Sequence, residues 1–330
     1  MSKLLKHLRL ITFAAAVVAS TLIPLCVKSP YLLHVLILTL VYIVATCSMR
    51  FVIISGQFTL AHAAFMGIGA YASAVMSKWL GLSPWLSVPV AAFLTMGVGM
   101  FVAYPLARLR TFYFSMVSLF FGTGVISLIK ALGKLTGGYQ GLSDIPALFN
   151  VASKVGYYYF FLAVCIIMLL MIRRLEFCRF GVTLRAINQS HLVAGSVGIN
   201  EPMYRILAMG FGCFPVGLVG AMYGHYNMSL SPTSFDMGAT LWLVMYTLIG
   251  GIENFLGPIV GTVALLLIPE AFRASKEYTP FVSAGILFAV VFLLPKGVVS
   301  IPGLLKSLYG KWNGKEQAND LMRQRDSAWR

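Results

Sequence analysis

Apolar residues run in blocks of about twenty along most of this chain, with short polar or basic segments between them. A hydrocarbon core of ~30 Å is crossed by a helix of about that length, so the pattern predicts membrane-spanning helices. The blocks fall at residues 10–27, 31–49, 51–77, 85–107, 111–132, 157–172, 206–227, 238–250, 257–272 and 279–295. The expected fold class is an all-α polytopic membrane protein of about ten transmembrane helices, some broken by glycine. Segments 238–250 and 257–272 are short, which leaves eight or nine open. Residues 1–330 then form a single transmembrane domain.

Composition agrees. The chain is 59% hydrophobic and 11% charged, with a mean hydropathy of +0.85, more apolar surface than a soluble domain of this length can hide. The net charge of +15 would point to nucleic acid in a soluble protein. Here the basic residues flank apolar blocks, where they set topology, and no nucleic-acid role is expected. With alternating crossings, 18 of the 25 Lys and Arg fall on one side. By the positive-inside rule that side is the cytoplasm and holds both termini: an N-tail at 1–10 and a basic tail at 296–330 that lies on the membrane surface or is disordered. Lys3, Lys6 and Arg9 before an apolar run resemble a signal peptide. No small-x-small cleavage site follows, so the run reads as a retained first span. Cys26, Cys47, Cys165, Cys178 and Cys213 form no CxxC pair, and four lie in apolar runs as small hydrophobes; no metal site is expected.

The longest basic interruption is residues 173–205, with five Lys/Arg. Residues 183–194 lack Pro and Gly and predict one short surface helix, loosened at its end by Gly195 and Gly198. Such a helix can receive a push from a soluble partner, or be an ordinary solvated loop helix. Two other segments put glycine and polar residues at membrane depth. Gly56 to Tyr71 includes Gln57, Thr59, His62, Gly67 and Gly69, and Gly250 to Gly261 includes Gly251, Glu253, Gly257 and Pro258. Broken backbone at that depth needs protein or a water-filled cavity around it, and paired broken segments mark a transport path. Close helix packing is the other reading. Gly217, Gly220 and Gly224 read as a packing seam alone. Outside, residues 133–156 read as a structured cap, with Asn227 to Asp236 on the same side.

Several chemistries are missing. There is no P-loop to cradle a nucleotide, no Gly-x-Ser-x-Gly elbow and no His-Glu-x-x-His pair. The histidines stand apart and read as hydrogen-bonded packing residues. No acid falls securely in mid-span, so ion coupling has little support. The chain reads as a transport subunit and not an enzyme, with no cofactor of its own, driven from elsewhere or acting as a passive solute channel.

Taken together, the ordered segments resemble the permease subunits of branched-chain amino acid ABC importers, of the LivM type. The resemblance runs from about Tyr42 to Gly297. It rests on Gly56 to Tyr71, Pro105 to Phe114, Leu135-Thr136-Gly137-Gly138 with Gly141-Leu142, and Arg179-Phe180-Gly181 with Arg185-Ala186-Ile187. It continues through Gly198-Ile199-Asn200, Ser231-Pro232, Gly250-Gly251 with Gly257-Pro258, and Leu294-Pro295-Lys296-Gly297. It implies an inner-membrane permease paired with a second, LivH-like permease. Two cytoplasmic ATPase subunits would use ATP and Mg, and a periplasmic substrate-binding protein would deliver a small amino acid. The basic segment then corresponds to the ATPase-coupling element, with Arg185, Ala186, Ile187, Asn188, Ala194, Gly195, Gly198 and Ile199 at the matching positions. Similar permeases serve amides, urea or aromatic acids, so branched-chain amino acids are the default substrate. Ser190 and His191 depart from the acidic residues the family often carries there, and Glu253 from the last glycine of Gly-Gly-x-Gly.

Overall fold

The computed structural model describes residue 21, residues 29–109, 111–149 and 154–271, and residue 285. The blocks expected at 10–27 and 279–295 and both terminal tails lie outside these, Thr21 and Gly285 apart. Among the described residues the chain is helical: α1 Pro30–Ile54, α2 His62–Trp79, α3 Pro84–Leu106, α4 Thr111–Ala131, α5 Gly133–Thr136, α6 Lys154–Phe177, α7 Arg179–Gln189, α8 His191–Ser196, α9 Glu201–Asn227, α10 Met237–Gly250 and α11 Gly257–Ala271. Five of them, α1, α3, α4, α6 and α9, are long and apolar enough to cross a membrane. The expected crossings at 51–77, 238–250 and 257–272 appear as shorter helices of 18, 14 and 15 residues.

Helix ends follow local chemistry. Pro30 and Pro84 open α1 and α3, where a missing N–H costs nothing. Asn200 caps α9, its Oδ1 accepting the Met203 N–H at 3.3 Å, so α9 starts five residues before the apolar run at 206. The boundary expected at Arg50 is absent. α1 runs through it to Ile54, and the break falls at 55–61; a buried carboxylate neutralises Arg50, so the helix need not stop there.

The chain divides into two compact units, residues 1–245 and 246–330. In the first, α9 is the axis against which α1, α2 and α3 pack. Its glycines make that possible. A Cβ on Gly69 would strike the backbone of Gly217, one on Gly220 the Met66 carbonyl, and one on Gly212 the Val52 side chain. Small residues let apolar helices approach until backbones touch, the contact lipid cannot supply by exclusion. In the second unit, α11 turns back on the end of α10. A Cβ on Gly250 would meet the Gly257 carbonyl and one on Gly261 the Tyr246 carbonyl, while Gly251 takes φ +100 in the turn.

The loop after α4 and the segment after α9 are tied together by an antiparallel bridge, with Leu142 N to Leu230 O at 2.9 Å and Leu230 N to Leu142 O at 2.8 Å. Lys78 Nζ reaches Ser143 O at 2.5 Å, and His225 Nδ1 lies 2.7 Å from Pro146 O. Beyond the bridge the chain does not stay at the surface. A 3-10 turn, Pro232–Phe235, folds inward and sets the Phe235 ring against Gly67 and edge-on to Tyr71 and Tyr223.

Gly69→Val is therefore expected to misfold, since overpacking against rigid backbone costs about 1–3 kcal/mol or more. Gly97 on α3 faces open space, so Gly97→Ala is expected to match the parent or gain up to about 1 kcal/mol. Thermal unfolding of the purified variants separates the two.

Candidate functional site

The break between α1 and α2 is held by one face of α4. Gly56 takes φ +83, a left-handed conformation that a side chain would strain. Thr111 Oγ1 donates to Gly56 O at 2.8 Å, Ser115 Oγ to Phe58 O at 2.6 Å, and the Leu60 N–H donates to Ser118 Oγ at 2.9 Å. Spacings of four and three put these hydroxyls on one helix face, so α4 carries a ladder for seven residues of irregular chain. At the start of α2, the Ala61 N–H reaches Thr59 Oγ1 at 3.2 Å and the Ala63 N–H reaches Thr240 Oγ1 at 3.3 Å. Two side chains stay short of partners. Gln57 is 1% exposed, and neither amide atom finds a hydrogen bond among the described residues; His62 uses Nε2 on Ser48 Oγ at 2.7 Å, and its Nδ1 has none. Buried polar atoms are seldom left so, and these are the buried polar atoms without a partner in and beside the break.

The other candidate path residues sit differently. Gly67 makes room for Phe235, and Gly69 lies in the seam with Gly217. Gly250, Gly251, Gly257 and Pro258 form the tight turn of the second unit, where Thr262 Oγ1 donates to Pro258 O at 2.7 Å. Glu253 is exposed on that turn.

At the basic end of the bundle is a cluster that single-residue reading missed. Glu176, near the end of α6, is 1% exposed and Arg50, inside α1, 2%. They pair bidentately, Nη1 to Oε2 at 2.7 Å and Nη2 to Oε1 at 3.0 Å. Arg185 of α7 closes on Oε1 of the same carboxylate, 43% exposed and set over the Phe177 ring. Two guanidiniums thus share one carboxylate across three helices. The α6–α7 turn is tight because Gly181 lies on the Glu176 backbone, leaving no room for a Cβ.

One surface helix over 183–194 was expected; there are two. α7 ends at Gln189, Ser190 is extended at φ -158, ψ 106, and α8 begins at His191. Ser190 itself causes the break, its hydroxyl accepting the Val193 N–H at 3.4 Å as a cap. Of the expected coupling residues, Ile187 and Ala194 are buried and anchor the pair of helices, Arg185 is held by Glu176, and Ile199 is half-buried. Ala186, Asn188, Gly195 and Gly198 are exposed. Asn188 also leans on the break, its Oδ1 3.0 Å from where a Cβ of Gly56 would sit. The exposed edge of α8 and the residue that follows it are apolar: Leu192, Val193 and Val197 lie open. A cavity of about 560 Å³, bordered by Gly56, Arg108, Asn188, His191 and Arg205, leaves these helices room on one side. The apolar edge was legible in principle as three large aliphatics in a polar segment.

Comparison with known proteins gives the family. Residues 31–294 match the family model described as branched-chain amino acid transport system / permease component. The high-affinity branched-chain amino acid transport system permease protein LivM of Escherichia coli K12 is 24% identical over 290 residues, covering 79% of this chain and 68% of that protein. LivM of Salmonella typhimurium matches equally. The permease protein LivH of Escherichia coli K12 is 26% identical over 207 residues, 55% of this chain and 66% of its own. No solved structure gives a match.

Glu176→Gln leaves two buried or half-buried guanidiniums without a counter-charge and is expected to cost about 3–5 kcal/mol. Arg185→Gln keeps the buried Arg50 pair and removes a half-exposed partner, for about 1 kcal/mol or less. Thermal unfolding in detergent, compared across the two variants, checks that order.

Proposed function

The chain belongs to the family of branched-chain amino acid transport permease components, and we propose that it is the LivM-type half of an ABC importer in the bacterial inner membrane. In this reading it crosses the membrane about ten times, counting α2, α10, α11 and the blocks at 10–27 and 279–295, with both termini cytoplasmic. It pairs with a LivH-like permease. Two cytoplasmic ATPases hydrolyse ATP with Mg, and a periplasmic binding protein delivers a branched-chain or other small amino acid onto the loops joined by the Leu142–Leu230 bridge.

One observation carries this reading: an apolar edge, Leu192, Val193 and Val197, stands exposed along α8 and the residue after it, next to α7, whose Arg185 is tied to a buried carboxylate. Exposed aliphatics on a cytoplasmic helix are a docking surface, and the ATPases are the partners that need one. As the ATPase dimer closes on ATP it carries α7 and α8 with it. Glu176 passes that displacement to α1 and α6, and Asn188 passes it to the break at Gly56. The break is the natural hinge, because its backbone is held by side-chain hydroxyls instead of a helical ladder. Hydrolysis releases the pull and the bundle returns.

Leu192→Asp combined with Val197→Asp is expected to reduce co-purification of the ATPases at least tenfold while the protein still accumulates in the membrane. Retained co-purification would put the docking surface elsewhere. Vesicles holding this chain alone are expected to take up no amino acid; nucleotide-independent uptake by them would favour a passive channel.

A further inference from the structure

The residue after the inward 3-10 turn is Asp236, and its position is unusual for a carboxylate. It borders a small cavity with Leu60 and Ala64 at the start of α2, Leu119 and Thr123 of α4, and Thr240 of α10. Leu119 to Thr123 is the middle of α4. At ~1.5 Å per residue, Thr123 stands about 12 Å from one end of that helix and about 18 Å from the other. α2 and α10 both begin at this level, so two interrupted helices and a carboxylate meet halfway across an apolar, membrane-crossing helix.

A charge at that depth is costly in lipid and is found facing a cavity, a partner charge or a transported solute. Capping explains only half of the residue. Oδ1 accepts the Ala239 N–H at 3.1 Å at the start of α10, a task that Ser, Thr or Asn performs without charge. No Lys or Arg pairs with Asp236 among the described residues, and the side chain is exposed. The wall beside the carboxylate is mixed. Thr123 and Thr240 are polar, while Leu60 and Leu119 are apolar. That combination suits a small molecule with an ammonium next to an aliphatic side chain.

We propose that Asp236 receives the α-ammonium group of the transported amino acid at the midpoint of the path. This rests on the importer reading above and adds the substrate contact it lacks. In the present conformation the cavity is about 10 Å³, room for a water at most, so substrate enters only when α4 and α10 part.

The test uses the complete reconstituted complex with leucine-loaded binding protein and measures leucine uptake and retention of the LivH-like subunit. Asp236→Asn and Asp236→Ser both keep a capping side chain and remove the charge. Both are expected to assemble with the partner permease and to lose at least tenfold in uptake, and Asp236→Glu is expected to recover a substantial part of it. Parental uptake by Asp236→Asn would overturn the proposal. So would loss of the partner permease from the uncharged variants, which would make the cation a residue of that subunit. A parent complex that assembles but carries no amino acid would overturn the importer reading itself, and this contact with it.

Discussion

A carboxylate shared by two guanidiniums sits where the membrane bundle meets its surface helices, and much of the molecule is arranged to keep it there. Taking Glu176 and Arg50 out of water costs several kcal/mol per ion, repaid only when geometry is good and the remaining lone pairs are filled. Both conditions hold: the pair is bidentate, and Arg185 takes a further position on the same carboxylate. Such a cluster contributes little net stability over an apolar replacement. What it adds is geometry, since a guanidinium fork fixes the angle as well as the distance of its partner. α1, α6 and α7 are therefore locked in one relative orientation at the end of the bundle that carries α8.

The rest of the first unit divides into stiff and soft parts around that lock. The glycines of α9 bring α1, α2 and α3 into backbone contact, and a seam so close shifts only as a body. The break at 55–61 is the opposite. Its carbonyls and amides are met by Thr111, Ser115 and Ser118, contacts that a rotamer change can release one at a time. α7 therefore borders both a rigid axis and a yielding joint, with Asn188 placed on the joint.

Much of this was legible in the chain. The long crossings, the packing role of Gly217 and Gly220, and the hydrogen bonds of His34, His62 and His225 follow from apolar length, small-residue spacing and isolation. What escaped was pairing across distance. Arg50 and Glu176 are 126 residues apart, so each looked like a flanking charge. Asp236 looked like part of an outer loop, because nothing local reveals that a 3-10 turn will carry it inward. Ser190 was read as a helix interior residue, although its hydroxyl competes for backbone and starts a new helix. Periodicity reports which face of an element is apolar, and is silent on which distant charge a buried one will find.

Arg185 is the part of the cluster that lies on α7, and its replacement leaves the buried Arg50–Glu176 pair intact. The amount of leucine carried per ATP hydrolysed, measured in reconstituted complexes bearing Arg185→Gln and compared with Arg185→Lys, separates a mechanical link from a structural ornament. If the carboxylate transmits the stroke, hydrolysis continues in the Gln variant while leucine per ATP falls several-fold, and Lys restores part of the ratio. An unchanged ratio in the Gln variant would show that force reaches the bundle by another route.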